Sequence, residues 1–225
     1  DMEVLTIAGP GAFALLQLCF TRDLRHCVGR QRAALSPGLC VYGAFLEDSG
    51  NLIDDAILYQ ALHDEYLVAV NAGMGEKVAL HLTARSQNMD CRVRRWAAQV
   101  GKIDLQGPMS ARILLKVLQD PEQALRDLAY FSFTGHFDPE SELARIRLCN
   151  GIHTLLSRTG YTGEFGFEIF ADSKELVDVW ETILDAGREF GLKPCGLAAR
   201  DSLRTGAMLP LSHQDIGPWP FINHP

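Results

Sequence analysis

Carboxylates set among apolar neighbours are the first residues in this 225-residue chain that could do chemistry. Asp54 and Asp55 stand side by side in LIDDAIL, and Glu168 stands between Phe167 and Ile169. Burying a carboxylate is costly unless it is paired or hydrogen-bonded, so each is a candidate for electrostatic work at a site. On a strand, neighbours point to opposite faces, so only one aspartate enters a given pocket. The bland alternative puts both at the wet end of a hairpin. Glu168 alternates with Phe167 and Ile169 and therefore faces away from the core they fill. It follows the segment RTGYTGEFGFE, Arg158 to Glu168, in which Gly160, Gly163 and Gly166 recur every three residues. Glycine at that density lets the backbone turn tightly and approach a ligand closely; it equally suits a plain turn feeding a strand. No lysine follows the last glycine and the spacing is not GxGxxG, so neither a phosphate cradle nor a dinucleotide fingerprint is present.

Three further residues complete the candidate set. Arg200, in GLAARDSLR, carries a fork suited to carboxylates, although an ion pair with Asp201 or Glu189 would also occupy it. Arg204 is a second, less favoured arginine. Tyr161 could line the same opening, Glu164 reads equally as surface charge, and Asn71 either bonds a ligand or tolerates a turn.

The elements that must position these residues follow one plan used twice. LTIAGPGAFALLQL (5–18) and IDLQGPMSARILLKVL (103–118) each read as strand, Gly-Pro, amphipathic helix, with Gly9 and Gly107 as caps and proline at the first helical position. Strands are expected at 39–46, 52–60 and 65–71 and a helix at 74–86; after the second Gly-Pro helix, strands at 144–149, 153–157 and 165–171 and a helix at 173–190. Asp48-Ser49-Gly50-Asn51 marks the hairpin between the first two of these strands. Asp172 caps the last helix, Gly191 ends it, and Leu176, Trp180, Ile183 and Leu184 form its buried stripe. Alternating Arg92 and Arg94 read as a strand with one wet face near 90–99. The fold class is α+β: two β-α-β-β-β-α (ferredoxin-like) subdomains with antiparallel sheets.

RTGYTGEFGFE resembles the folate-site motif of the glycine-cleavage T-protein (aminomethyltransferase) family. GLAARDSLRTGAMLPLSHQ (196–214), GNLIDDAIL (50–58), EYLVAVNAG (65–73) and LQGP (105–108) resemble further family motifs in the family's order. The resemblance implies tetrahydrofolate as cofactor, bound between the subdomains. It implies Asp55 as the catalytic residue, orienting the folate and stabilising cationic charge on the one-carbon unit. It assigns Glu168 to the pterin amide and amine, Arg200 to the glutamate tail, and Tyr161 and Asn71 to the same pocket. It further implies subdomains 1–92 plus 193–225 and 93–192, and a chain that lacks the family's N-terminal start and C-terminal barrel.

Composition narrows the function classes. A net charge of −7 argues against nucleic acid as a partner, because that binding neutralises phosphates. The local cluster Arg22, Arg25, Arg30 and Arg32 reads as a solvated loop, or as a surface for an acidic carrier or folate tail. No apolar run reaches membrane-spanning length. The six cysteines show neither CxxC nor metal-ligand spacing, so no metal site is expected, and the compartment is a reducing one: cytoplasm, or mitochondrial matrix in a eukaryote.

Four functions follow from the resemblance. The first is a glycine-cleavage aminomethyltransferase, which takes its one-carbon unit from a lipoyl carrier protein. The second is a methyltransferase or demethylase of small O-, S- or N-methylated compounds, suggested by the aromatic-rich end GPWPFINHP. The third is a folate-binding protein without transferase chemistry, whose KGCYxGQE-type motif is absent here. The fourth is a module of a larger flavin-linked amine dehydrogenase.

Overall fold

The computed structural model describes residues 2–217. They divide into two compact units, one of residues 2–98 together with 210–217, the other of Gln99–Leu209.

Among the described residues the first unit runs β1 (Glu3–Ala8), α1 (Ala12–Cys19), β2 (Cys40–Leu46), β3 (Leu52–Leu62), β4 (Glu65–Val70), α2 (Gly75–Arg85) and β5 (Arg92–Arg95). Its sheet has the order β2-β3-β4-β1-β5, and every neighbouring pair is antiparallel. Alternate side chains of the strands, such as Leu5, Ile7, Leu58, Val68 and Val70, meet Leu15, Leu16, Val78 and Leu82 of the two helices in one core. The helical spacing of i, i+3, i+4 and the strand spacing of two turn those residues toward each other.

The second unit runs β6 (Val100–Gln106), α3 (Ser110–Val117), α4 (Pro121–Leu125), β7 (Phe133–Gly135), β8 (Leu155–Ser157), β9 (Gly166–Asp172), α5 (Leu176–Gly187) and α6 (Leu197–Gly206). Its sheet order is β6-β9-β8-β7. Counted from each unit's own first strand, both sheets read first, fourth, third, second, and β5 extends the first sheet beyond β1. The weak sequence repeat is thus a repeat of topology.

Four details differ from the sequence reading. The expected strand at 144–149 is not one: Arg147 and Leu148 make only isolated bridges to His153 and Leu118, and the short β7 takes the edge of the sheet. Ile146 and Leu148 are nevertheless buried, which satisfies the alternating pattern without a ladder. In α5 the buried stripe is Val179 and Ile183, with Leu176 packed beside it, while Trp180 is 40% exposed. The Gly-Pro helices begin at Ala12 and Ser110, two residues after each proline. Residues 193–209 group with the second unit rather than the first, and there Arg200 stacks on the Tyr161 ring of the glycine loop. The Gly50 turn between β2 and β3 lies where its residues place it, at φ +83°.

Candidate functional site

In the first unit, β3 carries both aspartates past an irregularity. Phe45 pairs with Asp54 but Leu46 pairs with Leu52, so Ile53 is the extra residue of a bulge. Bulges re-aim the side chains beside them. Asp54 shares its face with the core residues Ala56 and Leu58 and is fully buried. Asp55 lies on the opposite face and is half-buried.

Asn71, one residue beyond β4, reaches both. Its backbone N–H donates to Asp54 Oδ2 at 2.9 Å. Its side-chain Nδ2 donates to Asp54 Oδ1 at 2.8 Å and to Asp55 Oδ1 at 2.6 Å. Tyr42 of β2 donates its hydroxyl to Asp55 Oδ2 at 2.8 Å from the other side. Ser212 Oγ donates to Asp54 Oδ1 at 3.3 Å, and His213 Nε2 lies 3.4 Å from the same oxygen. Burial pushes the Asp54 carboxyl up from the usual carboxylate range, against the pull of the Asn71 bonds.

In the second unit, the period of two places Lys102, Asp104 and Gln106 on the face of β6 that their neighbours Ile103 and Leu105 do not use. Asp104 stands directly opposite Glu168 of β9. The Lys102 ammonium pairs with Glu168 Oε1 and lies 3.4 Å from Asp104. Thr159, itself bonded to Ser157 at 2.7 Å, donates its hydroxyl to Glu168 Oε2. Burial pushes Glu168 up, but the Lys102 charge together with hydrogen bonds to Lys102, Thr159 and Asp104 outweighs it and holds the carboxyl below its ordinary value. Glu168 is therefore a buried anion, 3% exposed. Asp104 moves the other way, raised chiefly by burial.

The Arg158–Glu168 loop owes its glycines to Gln106. A Cβ on Gly160 or Gly166 would collide with the Gln106 side chain, whose Nε2 donates to the carbonyls of Thr159 and Phe167 at 3.3 and 3.1 Å. Thr162 donates back to Gln106 Oε1 at 3.2 Å. Gly163 sits at φ +73°, in the left-handed region that favours glycine. Arg158 lies 3.9 Å from the centre of the Phe165 ring. The loop is thereby pinned at its base, and it presents Tyr161 to Arg200.

The Arg200 guanidinium stacks on the Tyr161 ring at 4.3 Å. The ion pairs that would have absorbed Arg200 go elsewhere: Asp201 pairs with Arg204, and Glu189 with Lys116. Among the described residues no carboxylate pairs with Arg200. A cavity of about 200 Å³ is lined by Arg200 together with Asp104, Gln106, Thr162, Trp180 and Leu184. Structure thus brings Tyr161 and Arg200 together in the second unit, with Glu168 joined to the cavity's Asp104 through Lys102. It brings Asp55 and Asn71 together in the first.

This geometry sits on a chain with recognisable relatives. The GCVT N-terminal domain model matches residues 1–219. The chain belongs to that family. Aminomethyltransferase from Geobacillus thermodenitrificans is 35% identical over 215 residues, 96% of this chain and 53% of that protein. Aminomethyltransferase from Moorella thermoacetica is also 35% identical, over 217 residues with the same coverage. The chain spans about half the length of these curated relatives. The crystal structure of glycine cleavage system aminomethyltransferase T from Bartonella henselae superposes with a TM-score of 0.74 at 28% identity, over 96% of this chain and 52% of that one. Heterotetrameric sarcosine oxidase from Corynebacterium sp. U-96 shares the fold, with a TM-score of 0.54 at 18% identity over 87% of this chain and 84% of that one.

Residues that the sequence reading missed were partly legible. Lys102 and Asp104 alternate with Ile103 and Leu105, so their common face is written in KIDLQ. Tyr42 and Thr159 gave no signal, because their partners depend on strand register and loop path. The aromatic-rich end GPWPFINHP falls, from Pro218 on, outside the described residues. No helix among the described residues is long and apolar enough to cross a membrane. No cluster of His, Cys, Asp or Glu there is arranged to hold a metal ion.

Proposed function

We propose that this chain carries the tetrahydrofolate site of an aminomethyltransferase, which passes a one-carbon unit to the folate. The observation that carries the reading is Arg200: a guanidinium stacked on Tyr161 of the glycine loop, with no carboxylate partner among the described residues. The 35% identical relatives named aminomethyltransferase support it.

The residues present fit the group. Arg200 offers a planar fork to a carboxylate such as a glutamate tail. Glu168 is kept ionised by Lys102 together with its bonds to Thr159 and Asp104, and an ionised carboxylate is the form that accepts N–H donors. Glu168 already bonds Lys102, Thr159 and Asp104, so a pterin would use the lone-pair capacity that is left or displace one of these partners. Asn71 has both side-chain N–H groups committed to carboxylates, which leaves it an acceptor through Oδ1.

When bound, tetrahydrofolate supplies the nitrogens that take up the one-carbon unit. The chain's own work is electrostatic. Asp55, clasped by Tyr42 and Asn71, holds a fixed negative charge that stabilises positive charge developing during transfer. Because the clasp is made before any ligand arrives, little reorganisation is required at the moment of transfer. A lipoyl carrier protein is the proposed donor.

The test is a donor screen on the intact protein with tetrahydrofolate present, comparing an aminomethyl-lipoyl carrier protein with small methylated compounds. Methylene-tetrahydrofolate from the carrier supports this reading. Methyl-tetrahydrofolate from a small donor would replace it with the methyltransferase alternative.

A further inference from the structure

Asp54 has no role in the reading so far, yet it is the fully buried member of the pair. A carboxylate facing a core of Ala56, Leu58 and their neighbours is unfavourable there unless its bonds are made. Beside the Ser212 hydroxyl at 3.3 Å and His213 at 3.4 Å, its two shorter bonds come from one residue. Asp54 accepts both the backbone N–H of Asn71, at 2.9 Å, and one side-chain N–H, at 2.8 Å. An amide NH₂ has two hydrogens. With one directed to Asp54 Oδ1, the other is directed to Asp55 Oδ1 at 2.6 Å.

From this geometry we infer that Asp54 is a positioning residue: gripping Asn71 at two points, it aims the second amide hydrogen at Asp55 and fixes the Asp55 carboxylate in place. The inference rests on the aminomethyltransferase reading for its catalytic meaning. Without Asp54, the Asn71 side chain would be free to rotate and its amide to turn over. Among the described residues, Asp55 would then keep the Tyr42 hydroxyl as its side-chain donor, from a residue 39% exposed. Asparagine at position 54 is isosteric but has a single acceptor oxygen where two are used. It therefore cannot hold the backbone and side-chain N–H groups of Asn71 at the two oxygens that now accept them.

Two readouts on the intact protein separate positioning from plain stability. The first starts from the wild type. Hydrogen exchange of the Asn71 side-chain amide, followed by NMR, should show both hydrogens protected in the wild type and protection reduced in Asp54→Asn. Rapid exchange of both in the wild type would overturn the inference. The second is kinetic. In Asp54→Asn, kcat for one-carbon transfer should fall about tenfold to a hundredfold, the scale of a displaced reacting group, while Kd for tetrahydrofolate stays within about threefold. In an Asn71→Ala background the same substitution should cost nothing further, because the relay is already cut. Independent losses that multiply would overturn the inference. Should the wild type transfer no one-carbon unit to tetrahydrofolate from any donor, the function reading fails, and the catalytic meaning of Asp54 with it. The exchange result alone then decides whether the Asn71 grip exists.

Discussion

At the scale of residues, the account turns on how two carboxylates are held. Glu168 and Lys102 form a buried pair, so truncating either strands the other's charge. We expect Glu168→Ala and Lys102→Met each to cost about 3–5 kcal/mol in urea denaturation. The joint replacement Lys102→Met/Glu168→Leu should cost less than either alone. Additive losses in the double variant would show that the pair is not coupled. Asp54 predicts a pH signature of opposite sense. Burial raises its carboxyl, so the folded state binds that proton more tightly than the unfolded state does. Folding stability contributed by this group is therefore present below the ordinary carboxylate range and falls as pH rises through the raised value. Two charged groups face it: Asp55 pushes in the same direction and His213 opposes it. Comparing urea midpoints across pH for wild type and Asp54→Asn should show that decline only in the wild type. Glu168 works the other way: its lowered carboxyl contributes stability above its unfolded value, and this is lost as pH falls through the folded one.

At the scale of elements, legibility followed locality. Strands written as runs of six or more mostly apolar residues, such as LIDDAIL and EYLVAV, were readable, and both of their faces are largely buried. The hairpin at Gly50 was readable from its turn residues. The strand expected at 144–149 was misread because Ile146 and Leu148 bury themselves from a bridge-making loop, and β7 is too short to carry a period. Trp180 was misread because its helical position also suits the cavity mouth, where a large ring stays partly wet. Among site residues, Asp55, Glu168, Tyr161 and Arg200 stood out by type and motif. Tyr42 and Thr159 join them through register and loop path, which spacing does not encode, whereas the face that Lys102 shares with Asp104 is legible in the alternation of KIDLQ. The glycine loop gives this scale its prediction. Gly166→Ala drives a Cβ into both the side chain and the backbone of Gln106. It should destabilise by about 1–3 kcal/mol, and Gln106→Ala should recover only part of that. At Gly160 the nearest collisions are all with the Gln106 side chain, so Gln106→Ala should recover most of the loss. Thermal midpoints of the wild type, the three single variants and the two double variants decide between these outcomes.

At the scale of the whole molecule, one strand order is used twice, and each unit places a candidate carboxylate on the sheet face opposite its own helical core: Asp55 in the first, Glu168 in the second. Helices bury one face of each sheet and leave the other available for polar side chains, which is how an α+β unit can serve both stability and binding. Ligand linkage tests the binding half. Tetrahydrofolate at a hundred times its Kd should stabilise the intact protein by about 2.7 kcal/mol, and Arg200→Ala should weaken its affinity by about tenfold or more. An unchanged affinity would remove Arg200 from the site. The catalytic half is tested most directly by steady-state kinetics of Asp55→Asn. The account predicts that kcat for one-carbon transfer falls by about a hundredfold or more while Kd for tetrahydrofolate stays within about threefold. Equal losses in turnover and affinity, or undiminished turnover, would contradict it.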